Sequence, residues 1–245
     1  MVFFCFSSQV RHTYVRAVMY HLKNYGFETW YDHHKLILGD NKRESIIDNG
    51  IIKSKYAIIF YSTSFFTCKE AMEEERKIME LYKERKIYIF PLLCEITFKD
   101  LPEKHQNYLE NIIYNEVSNN NVLSTVNQIC VRIMREEIRK NSINKTFSTE
   151  RLIKELHDRN IISLLEVYDF IDCNNFNARI SILYCIYLYL SNDDNATLIP
   201  HCKKTIQWVS KLTKLNVEYD FKEIELMELA ILILLEANRA LLFLQ

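Results

Sequence analysis

The stretch YAIIFYS, residues 56–62, constrains this chain most. It is β-favouring and apolar without alternation, so neither of its faces is built to meet water. A strand buried on both sides belongs in a parallel sheet covered by helices on each face. Parallel neighbours in turn require crossovers, which are usually helical. The runs around it supply both. VFFCF (2–6), FETWYD (27–32) and IYIFPLL (87–93) read as further strands. Between the first two, Val10, Tyr14, Val18 and Leu22 recur at helical spacing until Gly26 offers a C-terminal stop. From about Lys42, Ile46, Ile47, Ile51 and Ile52 turn toward one side of a second helix, and a glutamate-rich helix separates the third strand from the fourth.

Strands alternating with single helices through residue 93 predict a flavodoxin-like doubly wound α/β sheet. A short fifth strand near NIIYNEV and a closing helix over roughly 122–139 complete it. The polar stretch KNSINKTFST (140–149) breaks the periodicity. Beyond it every segment reads as helix, with Ser148 or Thr149 as the first cap. The expected organisation is an α/β domain over 1–140 and an all-α domain over 150–245.

Composition removes several function classes. Lys and Arg number 31 against 32 Asp and Glu, a formal charge of −1, so the basic excess that recruits phosphate backbones is lacking and no nucleic-acid partner is expected. The seven cysteines are scattered singly and never form C-x-x-C, which argues against a disulfide framework and a zinc site and fits a reducing cytoplasm. Strand-like residues begin at Val2, leaving no room for a secretory leader. ISILYCIYLYL is too short to span a bilayer, and Glu236, Asn238 and Arg239 interrupt the last apolar run, so no membrane span is expected. The three glycines, Gly26, Gly39 and Gly50, all lie in the first fifty residues.

In a sheet of this kind ligands bind beyond the carboxyl ends of the strands. Those ends are Ser7 and Ser8, Asp32 with its loop, Tyr61 and Ser62, and Leu93 to Glu95. YSTSFFTCKEAMEEERKIMEL (61–81) therefore runs from the crevice into a helix carrying Glu70, Glu73, Glu74, Glu75 and Glu80. Cys68, Ala71, Met72, Ile78, Met79 and Tyr82 define its apolar face. Glu75 falls near the middle of that face, Glu74 at its edge, and the other three outside it. A carboxylate in mid-face has to be paired or neutral.

The ordered set VFFCFSS, VRHTYVRAVMYHL, YGFETWYDHHKLILGD, IIDNGIIKSKYAIIFYSTSFF and IYIFPLL resembles a Toll/interleukin-receptor (TIR) domain of the bacterial and plant kind. The resemblance covers roughly residues 1–138 and leaves the helical tail unassigned. It implies one of two activities: a scaffold that binds other TIR domains, or an enzyme that cleaves the nicotinamide glycosidic bond of NAD. The enzymes share a glutamate on the helix after the third strand. Twelve residues from Ser62 and seventeen back from Pro91 both lead to Glu74, with Glu75 the alternative register because the family usually has an aliphatic residue there.

The resemblance also places Phe6, Ser7, Ser8 and Ser62 along the cleft, and sets the 32–40 loop, with Asp32, Leu36 and Gly39, beside it or against a neighbouring protomer. Trp30 offers a stacking surface or belongs to the core, and Asp32 serves better as a brace for its loop than as a base. NAD is substrate here and no cofactor is implied. His33 and His34 point oppositely on an extended chain and have no evident third ligand, so no metal is expected. The resemblance further implies self-association through the TIR or helical domain, a defence or immune-signalling role, and a downstream effector reading a nucleotide product. A phosphorylatable receiver-like domain is the weaker alternative, because Ser7, Ser8 and Gln9 stand where its acidic cluster belongs.

Overall fold

The computed structural model describes residues 1–31, 44–141, 146–213 and 221–243. Strand β1, Val2–Phe6, is followed by wide helical turns that tighten into α1, Arg16–Asn24. β2, Thr29–Trp30, is shorter than the 27–32 expected. The Phe27 N–H is spent on the Leu22 carbonyl at 3.0 Å, closing α1 around Gly26, whose φ is 85°. The next helical segment, Ser45–Ile51, winds more widely than an α-helix. That winding buries Ile46 and Ile51, five apart, and leaves Ile52 53% exposed rather than packed beside them.

β3, Tyr56–Tyr61, is buried at every residue, as its unbroken apolar run requires. α2, Lys69–Lys83, leads to β4, Tyr88–Cys94. Then follow α3, Glu103–Leu109, the fifth strand β5, Asn115–Val117, and α4, Val122–Lys140. All four pairings are parallel and the order is β2-β1-β3-β4-β5. Chain direction across the sheet reverses between β1 and β3, which makes their carboxyl ends the switch point.

The described chain forms two compact units, residues 1–23 with 27–126, and 24–26 with 127–245. The core of the first packs Phe3, Cys5, Trp30, Ile59, Tyr61, Ala71 and Ile78 on one face of the sheet. In the second, α5, Thr149–Glu155, is capped by Ser148, whose hydroxyl accepts from the Arg151 N–H. α6, Arg159–Phe170, α7, Phe176–Ser191, and α8, Pro200–Thr213, surround α9, Phe221–Ala237, which is buried over most of its length. A last turn, α10, Arg239–Leu242, follows Asn238. That residue interrupts the apolar run because it braces the backbone: its side chain accepts from the Thr197 N–H at 2.6 Å and donates to the Thr197 and Leu234 carbonyls. No described helix is long and apolar enough to cross a membrane.

Candidate functional site

The strand ends at the switch point carry hydroxyls. Ser7 follows β1 directly and Ser62 follows β3, and pairing of Phe6 with Phe60 brings them level. Ser7 Oγ lies 2.5 Å from Ser64 Oγ and 3.5 Å from Ser62 Oγ, and Ser62 and Ser64 are 3.0 Å apart. Ser62 also accepts from the Phe65 N–H at 3.3 Å, opening the turn that leads into α2. Ser7 and Ser62 are both buried, whereas Ser8 is exposed.

Alternation along β1 sorts its side chains. Cys5 and Ser7 share the face on which α2 packs, and Phe6 takes the other. There Phe6 stacks on Tyr31 with centroids 5.8 Å apart, under the Arg11 guanidinium at 5.4 Å. Trp30 pairs with Phe3, four residues before Ser7. It is buried, stacks on Phe3 at 5.1 Å and sits against Gly50, away from the hydroxyl group. Asp32, Leu36 and Gly39 lie outside the described residues.

Helix α2 presents its carboxylates at different depths. Glu74 is half-buried and reaches the Cys5 side chain at the end of β1. The Cys5 thiol, which also points to the Ala71 carbonyl at 3.4 Å, is pushed well above its usual pKa by burial. The charges of Glu74 and Glu75 and a hydrogen bond to Glu74 add to the rise. Glu75 is only 5% exposed. Its two oxygens take separate partners: Tyr61 Oη donates to Oε1 at 2.7 Å, and His105 Nε2 of α3 lies 3.1 Å from Oε2. Burial, then the charge and hydrogen bond of Glu75, hold the Tyr61 hydroxyl far above its ordinary pKa. Met72, assigned to the apolar face from its spacing, is 38% exposed instead.

Glu74 thus stands on the β1 side of the helix and Glu75 within the packing beneath it. Cys5, Ser64 and Tyr61 entered no expected site, although Ser64 stood in the hydroxyl run and Tyr61 at a strand end. His105 carried no signal, being thirty residues from its partner in a segment without clear periodicity. No three His, Cys, Asp or Glu side chains come together as metal ligands among the described residues.

Similarity to known proteins converges on this domain. The chain is 34% identical over 100 residues to the NAD(+) hydrolase TcpA of Theionarchaea archaeon, covering 41% of this chain and 30% of that protein. It is 33% identical over 101 residues to the probable 2′ cyclic ADP-D-ribose synthase TcpO of Methanobrevibacter olleyae, covering 41% and 29%. The matches therefore span about a third of those relatives. The TIR domain of a Toll-related receptor from Hydra magnipapillata overlays with a TM-score of 0.44 at 18% identity, covering 54% of this chain and 95% of that one. The family model described as TIR domain matches residues 2–129, more than half of the chain. With the five-stranded parallel sheet in the order given above, this means that the chain belongs to the TIR domain family.

Proposed function

We propose that this chain is an NAD nucleosidase that cleaves the nicotinamide–ribose bond, with Glu74 as its catalytic carboxylate. What carries the reading is the direction of Glu74, toward Cys5 near the carboxyl end of β1, the strand that Ser7 follows and whose switch point the hydroxyls of Ser7, Ser62 and Ser64 share. The relatives, named as NAD hydrolases and cyclic ADP-ribose synthases, support the same substrate.

The chemistry asks for one carboxylate. Nicotinamide in NAD is a cationic pyridinium. When the C–N bond breaks it keeps the electron pair and leaves as a neutral base, so no acid has to protonate it, in contrast to an ordinary glycoside. Positive charge develops at the anomeric carbon, and a fixed anion there stabilises the transition state more than the ground state. Glu74 holds the ribose hydroxyls and supplies that charge. Water then adds its oxygen to the anomeric carbon and releases a proton, giving ADP-ribose. Attack by the adenine ring of the same molecule gives a cyclic isomer instead. Phe6, Ser7, Ser8 and Ser62 form the walls in this proposal.

The wider reading is a cytoplasmic defence enzyme switched on by self-association, with residues 150–245 as the sensing or oligomerising module and a nucleotide product read by a downstream effector. The purified 245-residue chain at rising concentration, incubated with NAD, is expected to release nicotinamide with specific activity that increases with concentration. Glu74→Ala and Glu74→Gln are expected to lose at least about 100-fold in kcat, the order of a lost transition-state charge contact. Product identification by mass separates ADP-ribose from a cyclic isomer. Wild-type protein without turnover at any concentration would leave the scaffold role, and variants as active as wild type would reject Glu74.

A further inference from the structure

Glu75 occupies a position where the apolar spacing of α2 asks for a hydrocarbon side chain, between the buried Ala71 and the buried Ile78 and Met79. A carboxylate there is costly unless both oxygens are satisfied. Both are. One is held from β3 by Tyr61 and the other from α3 by His105, at 2.7 and 3.1 Å. The two donors approach from different elements, so Glu75 ties the middle of α2 to two separate parts of the domain at once.

The donors are themselves fixed. The His105 ring, 3% exposed, stands edge-on to Tyr61, Phe66 and Tyr108 at centroid distances of 5.6, 5.0 and 6.1 Å. Tyr61 lies parallel to Phe66 at 6.0 Å and edge-on to Phe65 at 5.1 Å. His105 Nδ1 is buried without a hydrogen-bond partner. An imidazole left with an unsatisfied nitrogen contributes poorly as a packing element. What it does provide is a rigid contact at Nε2.

Consecutive residues of a helix are set about 100° apart, so pinning Glu75 fixes the azimuth of Glu74. We propose that Tyr61, Glu75 and His105 form a positioning clamp that aims Glu74 at the carboxyl end of β1. The clamp acts on catalysis through Glu74 and touches no reacting atom, so it rests on the NAD-cleavage reading above. An aliphatic residue at 75 would bury the same face with packing alone. The clamp adds directional bonds, and direction matters here because a misplacement of about 1 Å can cost on the order of 100-fold in rate.

The test is steady-state nicotinamide release by the full chain, with kcat and KM determined separately for wild type, Tyr61→Phe, Glu75→Ala and Glu75→Gln, and thermal unfolding followed on each. The expected result is a fall in kcat of roughly 10- to 100-fold for Tyr61→Phe and Glu75→Ala, with KM within about threefold. Glu75→Gln should restore kcat to within about threefold of wild type. Its amide oxygen accepts from Tyr61, and its amide nitrogen donates to His105 Nε2 once the ring proton moves to Nδ1. A merely structural role predicts lowered unfolding temperatures with unchanged kcat in all three, and that outcome overturns the clamp. Should Glu75→Ala fail to fold, Tyr61→Phe, which removes a single oxygen, decides the question. Active wild type with unchanged Tyr61→Phe defeats the clamp alone, whereas wild type inactive on NAD defeats the enzymatic reading and the clamp with it.

Discussion

Gly50 shows how little room single residues have at this sheet. A Cβ there would stand 2.8 Å from Phe3 Cε2 and 3.0 and 3.1 Å from the Trp30 ring. Those rings are stacked on one another and buried, so neither can swing aside. Gly50→Ala is therefore expected to destabilise the protein by about 1–3 kcal/mol, read as a lowered urea midpoint. The same close approach explains why one of the three glycines stands at this place. Position 75 gives the complementary lesson. Its place in mid-face was legible from spacing alone, and so was the need for a partner. The partners were not identifiable: Tyr61, fourteen residues away, is brought in by how α2 packs on β3, and His105, thirty away, by how α3 returns over α2, neither by any local pattern.

At the scale of elements, β1, β3 and β4 declare themselves through hydrophobic runs that no helix period fits. β2 is shorter than its apolar run suggests, because Phe27 has the side chain of a strand residue while its N–H is committed to closing α1. The segment 45–51 was legible as helix but not as a widened one, and that is why Ile52 lies outside the packing its spacing implied. Helix α2 ends on a residue of the wrong kind for its backbone. Arg85 has φ 57°, with the Lys86 N–H on the Leu81 carbonyl and the Arg85 N–H on the Tyr82 carbonyl, both at 2.9 Å. This left-handed closure favours glycine. The relief of about 1–2 kcal/mol of left-handed strain is partly offset by the greater freedom of glycine in the unfolded chain. Arg85→Gly is thus expected to stabilise by about 0.5–1 kcal/mol, seen as a melting temperature raised by roughly 1–4 °C. Its exposed side chain makes the substitution neutral for packing.

The whole molecule distributes its seven cysteines unevenly. Cys5, Cys94, Cys130 and Cys202 are buried, Cys68 is intermediate, and Cys173 and Cys185 are exposed. Burial pushes the Cys94 thiol up to about 12, and it holds Cys5, Cys130 and Cys202 well above the ordinary thiol value too. A thiol whose folded pKa is raised stabilises the fold fully below its unfolded value, and the contribution is lost as pH climbs through the folded one. These four therefore stay protonated and unreactive through neutral and mildly alkaline conditions. A thiol reagent at pH 8 is expected to modify Cys173 and Cys185 rapidly on the native chain and the four buried ones only after denaturant is added, as mass spectrometry of the labelled peptides would record.

The strand order carries one more implication, for how the domain is made. β1 sits between β2 and β3, yet translation delivers it before either. Its five residues emerge as bare, adhesive VFFCF, and although β2 can cover one flank early, the other stays open until Tyr61 has cleared the ribosome. During that interval the spine of the future sheet is open to pairing with the same segment of a neighbouring nascent copy. Synthesis on crowded polysomes is consequently the stage at which this chain is most exposed to misassembly.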